Sequence, residues 1–174
     1  IMGTSELPIF QRLFLGGEYT IRGYNIRTIG PSDLQTGLVL GGNKSLLFNV
    51  EQIFSLVGPV RLILFYDAGQ VRERGQSFAW KEDILQLAPI DLPLFDPSQG
   101  ILLTPKGFER EVLNLGQRSA FKTSTGAEIR FFMPVLNVPF RLIFAYNPQR
   151  GGVLTNRLVP QRAFQFRFAV GTTF

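Results

Sequence analysis

From Phe164 to Phe174 the chain alternates without a break, with Phe164, Phe166, Phe168, Val170, Thr172 and Phe174 on one side and Gln165, Arg167, Ala169, Gly171 and Thr173 on the other. A period of two is the signature of a β-strand. A strand with one aromatic face must lay that face against something apolar. The same contrast recurs upstream. Leu46, Phe48, Val50 and Phe54 alternate with Ser45, Asn49 and Glu51. After a tight turn at 55–59, Val60, Leu62, Leu64 and Tyr66 alternate with Arg61, Ile63, Phe65 and Asp67. Strand character returns over 122–133, where Ala127, Ile129, Phe131 and Met133 oppose Glu128, Arg130 and Phe132. It returns again after a turn at 134–137, where Phe140, Leu142, Phe144 and Tyr146 oppose Arg141, Ile143 and Ala145. Residues 7–15 read as a further strand whose early Pro8 suits a strand start or an edge.

The connections are sorted by length. Long segments (about 17–42, 73–121 and 147–161) alternate with short turns (55–59 and 134–138). Outer-membrane barrels show this asymmetry, with strands of ~9–11 residues and an apolar outer face around a polar lumen. A soluble β-sandwich also alternates inside and outside but has no reason to sort its loops by length. The pattern therefore predicts an all-β, antiparallel transmembrane β-barrel segment. About six strands are countable, whereas single-chain bacterial barrels begin at ~8. An open edge in hydrocarbon would leave backbone groups unpaired at several kcal/mol each, so the six strands are expected to belong to a larger barrel. The start at Ile1, with neither a methionine nor a signal-peptide pattern, fits a piece of a longer chain. The irregular stretch 73–121 carries Pro89, Pro93, Pro97 and Pro105, and two short helices are expected in it, near Trp80–Leu87 and Phe108–Leu115.

Composition removes most chemistry. The chain has no cysteine and no histidine, hence no disulfide framework, no thiolate metal site, and neither the commonest general base nor the commonest metal ligand. No cofactor is expected. Charged residues make up only 18% and aromatics 13%, with 17 phenylalanines that need an apolar surrounding. The net charge of +5 does not point to nucleic acid, because Arg61, Arg130, Arg141 and Arg167 are scattered singly along strands rather than gathered in a patch. No run approaches the ~20 apolar residues of a transmembrane helix.

One long loop carries a conspicuous arginine, in Ile21-Arg22-Gly23-Tyr24. Alone, Arg22 reads as a solvated loop side chain. Two carboxylates change the reading. With the turn centred near Val57-Gly58, antiparallel pairing joins odd-numbered residues to odd-numbered ones, so Glu51 and Asp67 fall on one face within about one residue pair of each other. If the loop enters the lumen, the Arg22 guanidinium is suited to bidentate bonds with either acid or both, Asp67 being the favoured partner. Gly23 then supplies a close backbone approach. The two acids also have a plain reading as lumen-facing groups beside water. They could serve acid/base chemistry, but nothing supplies a nucleophile or a substrate pocket, so the chain reads as non-enzymatic.

Taken together, these features resemble the BamA-type outer-membrane assembly proteins of the bacterial surface-antigen family, over nearly all of the chain except 73–121. The resemblance rests on Phe14-Leu15-Gly16-Gly17 leading to Ile21-Arg22-Gly23-Tyr24; on Gly41-Gly42-Asn43 followed by Glu51; on Phe65-Tyr66-Asp67-Ala68-Gly69; and on the ending Phe166 to Phe174. It implies that 1–174 is the C-terminal portion, about the last six strands, of a sixteen-stranded barrel in the bacterial outer membrane. Periplasmic POTRA domains would lie upstream, outside this chain. Residues 18–40 would fold inward so that Arg22 meets Glu51 and Asp67 on the inner wall, and 73–121 would be a long external loop. The last strand, with Phe164, Phe166, Phe168, Gly171 and Phe174, would be both the moving side of a lateral gate and an assembly signal. Expected partners are unfolded outer-membrane protein clients, outer-membrane lipids, and periplasmic lipoproteins and chaperones reached through the upstream domains. The expected function is folding and insertion of client barrels. The alternatives are a related translocation pore of two-partner secretion, a TamA-like autotransporter assembly factor, or a passive porin-like barrel, for which an inward-folded loop is unnecessary.

Overall fold

Alternation becomes hydrogen-bonded structure in the computed structural model, which describes residues 7–87, 94–96, 101–103, 112–133 and 138–171. Among the described residues the strands are β1 (Lys44–Ser55), β2 (Val60–Arg72), β3 (Lys81–Leu87), β4 (Leu94–Asp96), β5 (Ile101–Leu103), β6 (Val112–Ser119), β7 (Lys122–Met133), β8 (Val138–Tyr146) and β9 (Phe164–Val170), with no α-helix. Five of them form one sheet in the order β1-β2-β7-β8-β9. Every neighbouring pair in it is antiparallel. The sheet is open, with β1 and β9 at its edges.

Register sorts the side chains into two faces. On one, a row formed by Val50, Tyr66, Thr125, Tyr146 and Phe164 runs across all five strands. The next rows carry Leu64, Phe144 and Phe166, then Leu62, Ile129, Leu142 and Phe168. Leu64, Tyr66, Phe144, Tyr146, Phe166 and Phe168 are exposed. The rings pack across strands, Phe131 on Phe140 at 5.1 Å and Phe144 on Phe166 at 5.0 Å between centroids. A contiguous apolar face of this extent suits hydrocarbon rather than water. The opposite face holds Asn49, Glu51, Asp67, Ser124, Glu128, Arg130, Arg141 and Arg167 at the corresponding register positions.

Two expectations are corrected. Residues 7–15 add no strand to the sheet; Ile9–Gln11 is a 3₁₀ turn, and beyond it Leu13 bridges Gly42 and Leu15 bridges Ile29. The backbone groups there are satisfied by the loop that folds back on them, so they are not free to extend a ladder. The helix expected near Trp80–Leu87 is strand β3, paired with β6 in a separate two-stranded antiparallel sheet. An isolated helix of this length is marginal, whereas two segments leaving neighbouring strands are already positioned to pair. The pairing slips between Asp83 and Leu85, where Leu115 and Gly116 of β6 face Ile84 alone, a bulge on β6. Of the second expected helix, 108–111 lie outside the described residues and the remainder falls in β6.

The segment after Leu15 lies on the polar face, where Leu15, Ile21, Tyr24, Ile29, Val71 and Val153 form the main buried apolar cluster. A smaller cluster of Phe65, Ile143 and Ala145 lies within the sheet.

Candidate functional site

Gly16 and Gly17, at φ 106° and 110°, turn the chain off residues 13–15, and the turn is closed where the Thr20 hydroxyl accepts from the Gly16 N–H at 2.8 Å. Each residue of Ile21-Arg22-Gly23-Tyr24 then has its own anchor. Ile21 and Tyr24 are fully buried. The Tyr24 hydroxyl donates to the carbonyl of Thr123 at 3.1 Å, and burial pushes its pKa up, keeping it a neutral donor. Gly23 sits at φ 83°, and a Cβ there would come within 2.6 Å of Asn147 Oδ1 and 2.7 Å of Ala145 Cβ. Its carbonyl accepts from Asn147 Nδ2 at 3.0 Å and from Gln161 Nε2 at 2.8 Å.

Arg22 drops onto the polar face between three carboxylates. Its Nε and Nη2 make a two-pronged contact with Asp67 at 2.7 and 2.6 Å, and its backbone N–H donates to the same carboxylate at 3.0 Å. Nη1 reaches Glu51 at 2.7 Å and Glu128 at 3.2 Å, and the guanidinium carbon lies 3.9 Å from the centre of the Phe65 ring. Arg22 therefore bridges Glu51 and Asp67, with Asp67 taking most of the bonds. Burial works against the charge, but the hydrogen bonds and charges of Asp67, Glu51 and Glu128 together outweigh it, so the guanidinium pKa is raised. Asp67, itself fully buried, also accepts from Asn49 Nδ2 at 2.7 Å.

The group extends along the sheet. Glu128, 0% exposed, accepts from Arg141 Nη2 at 3.0 Å and from Arg130 and Arg141 through their Nε atoms. Arg130 in turn reaches Glu51 at 3.3 Å. Three guanidiniums (Arg22, Arg130, Arg141) thus face three carboxylates (Glu51, Asp67, Glu128), a charge-balanced network. Both oxygens of Asp67 and both of Glu128 are engaged, so these acids are built to hold guanidinium and not to move protons.

Sequence reasoning passed over Asn49, Glu128, Arg130 and Arg141 as partners. Asn49 was findable by parity, being on the same face as Glu51 and directly opposite Asp67. Glu128 was not, because the β2–β7 register is hidden behind the long insertion. Asn147 and Gln161 lie in irregular backbone without periodicity. On β9, Phe164, Phe166 and Phe168 are on the exposed apolar face, Gly171 follows at φ 145°, and Phe174 lies outside the described residues.

A model of the Omp85 superfamily domain matches residues 1–174. The chain belongs to the Omp85 superfamily. Among curated proteins, this Omp85 domain is 30% identical over 92 residues to the outer membrane protein assembly factor BamA of Nitratidesulfovibrio vulgaris, covering 52% of the chain and 12% of that protein. It is 37% identical over 76 residues to the BamA of Neisseria meningitidis serogroup B, covering 39% of the chain and 10% of that protein. The alignments span about a tenth of these relatives. The fold is shared with the crystal structure of BamA from Haemophilus ducreyi lacking POTRA domains 1–3, at a TM-score of 0.56 and 18% identity over 95% of this chain and 28% of that one. This Omp85 chain is accordingly a protein of the bacterial outer membrane.

Gly23→Ala is expected to destabilise the Omp85 domain by about 2–4 kcal/mol, the left-handed backbone and the displaced neighbours each contributing ~1–2 kcal/mol. Gly58→Ala is the control, since Gly58 also has a positive φ (59°) but nothing within 4 Å of an added Cβ. Urea midpoints of the two variants in lipid vesicles separate the contact from the backbone, and equal shifts would refute the contact.

Proposed function

We propose that the protein folds and inserts client outer-membrane barrels through a lateral gate, acting without a cofactor and without covalent chemistry. The observation that carries this reading is the loop docked on the polar face by buried Arg22, since a passive pore has no need to spend three ion pairs and a buried arginine on plugging its own wall. The naming of both curated relatives as assembly factors supports assembly over translocation. In this reading 18–40 is the inward-folded loop, 73–121 an external projection, and β9 with the residues after it the moving side of the gate. An edge strand pairs with extended chain through its free N–H and C=O groups, which is how a client strand would be templated. Unfolded barrel proteins and outer-membrane lipids are the partners, with periplasmic lipoproteins and chaperones engaged through POTRA domains upstream.

The test reconstitutes the full-length protein in lipid vesicles and follows a small unfolded barrel by its heat-modifiable migration. Folding at least about tenfold faster than in empty vesicles is expected, which corresponds to a barrier lowered by ~1.4 kcal/mol. Ion conductance without any acceleration would establish the passive barrel instead.

A further inference from the structure

The loop has a second set of anchors, separate from the Arg22 network and placed beside β9. Arg167, on the polar face of β9, donates from Nη1 to Glu18 at 3.0 Å and from Nη2 to Asn25 Oδ1 at 2.6 Å. Both charged side chains are largely buried, Arg167 at 16% and Glu18 at 19% exposure. Just upstream, Asn147 and Gln161, which flank the connection into β9, hold the carbonyl of Gly23. The Arg22 network reaches only β1, β2, β7 and β8, so these contacts are what tie the loop to the last strand. Among the described residues, β9 pairs with β8 alone. Its orientation on the polar side therefore depends on the loop as well as on one ladder.

We propose that Arg167 is a latch: through Glu18 and Asn25 it couples the docked state of the 18–25 loop to the position of β9, so that releasing the loop frees the strand. The inference rests on the assembly reading only in giving that movement a use. Arg167 is a positioning residue acting through β9. A guanidinium suits the task because it holds a carboxylate and an amide oxygen at once in a fixed fork, which an ammonium on a flexible stem does not.

Hydrogen exchange on the full-length protein in lipid vesicles tests the latch. Arg167→Ala and Glu18→Ala are each expected to raise amide exchange about tenfold in residues 164–170 and 18–25, in keeping with loss of a charge-assisted hydrogen bond, while β1 and β2 exchange at their original rates. The double variant should exchange no faster than Arg167→Ala alone, which already loses both contacts, and Arg167→Lys should restore part of the protection. Should Arg167→Ala fail to fold, Glu18→Gln and Asn25→Ala, which leave the arginine in place, carry the same prediction. Unchanged exchange in β9, a uniform rise across the sheet, or additive effects of the two single substitutions would each overturn the latch. Coupled exchange in a protein that accelerates no client folding would support the latch and overturn the assembly reading.

Discussion

Replacing Arg22 with alanine is expected to destabilise the protein by about 3–5 kcal/mol, because removing one member of a buried ion network strands the others. Asp67 would lose two hydrogen bonds while remaining fully buried, and Glu128 would lose one of its three guanidiniums. The backbone N–H of residue 22 would still point at Asp67, but a neutral amide cannot balance a carboxylate out of water. Arg27→Ala is the comparison. Arg27 is exposed and stands 5.4 Å from the Phe14 ring, a cation–π contact worth about 0.5–1 kcal/mol at such a site. Urea unfolding in vesicles and the level of protein reaching the outer membrane should both fall for Arg22→Ala and barely change for Arg27→Ala. Equal behaviour of the two would contradict a docked, charge-held loop. Lysine at position 22 is expected to recover only part of the loss, since it cannot address Asp67 with two prongs while also reaching Glu51.

Glu128→Gln should have an effect of similar size, about 3–5 kcal/mol, through the opposite imbalance. Glu128 accepts from three arginines, and the guanidinium of Arg141, a residue 4% exposed, hydrogen-bonds only to Glu128 among the described residues. A neutral amide there leaves guanidiniums crowded on a dry wall with one carboxylate fewer, and its NH₂ group faces donors where an acceptor is required. Glu51→Gln is expected to cost under about 1 kcal/mol, because Glu51 is 31% exposed and water screens what it loses. The contrast in urea midpoint between the two glutamate variants checks the assignment of Glu128 as the hub. A larger loss at Glu51 would place the hub elsewhere.

Much of the fold was legible because a barrel wall imposes one rule on every strand. Alternation located β1, β2, β7, β8 and β9 to within a few residues. The tight turn at 55–59 set the parity of the first pair, so that Glu51 and Asp67 were expected on one face within about one residue pair; in the structure Asn49 is opposite Asp67 and Glu51 is one pair along, opposite Phe65. Where the rule lapses, reading fails. Residues 7–15 are apolar and strand-like, yet their hydrogen bonds go to Ile29 and Gly42, partners that only the folded loop supplies. β3, Lys-Glu-Asp-Ile-Leu-Gln-Leu, opens on three charged residues and has no clean alternation to mark it. Glu128 required the β2–β7 register, which no short turn encodes. The roles of Asn147 and Gln161 depend on where a Gly23 carbonyl arrives, a tertiary fact with no local signature. The motif itself was visible as four residues, and its meaning lies in four different neighbours: an apolar cluster for Ile21, carboxylates for Arg22, β8 for Gly23 and the Thr123 carbonyl for Tyr24.

The central claim is that the loop is held on the sheet by the charge of Arg22 on Asp67. A double-mutant cycle on Arg22→Ala and Asp67→Ala, read as unfolding free energy of the full-length protein in lipid vesicles, measures it directly. A coupling of at least about 2 kcal/mol between the two positions is expected, as for neighbours in one buried network, whereas effects that add to within about 0.5 kcal/mol would contradict it.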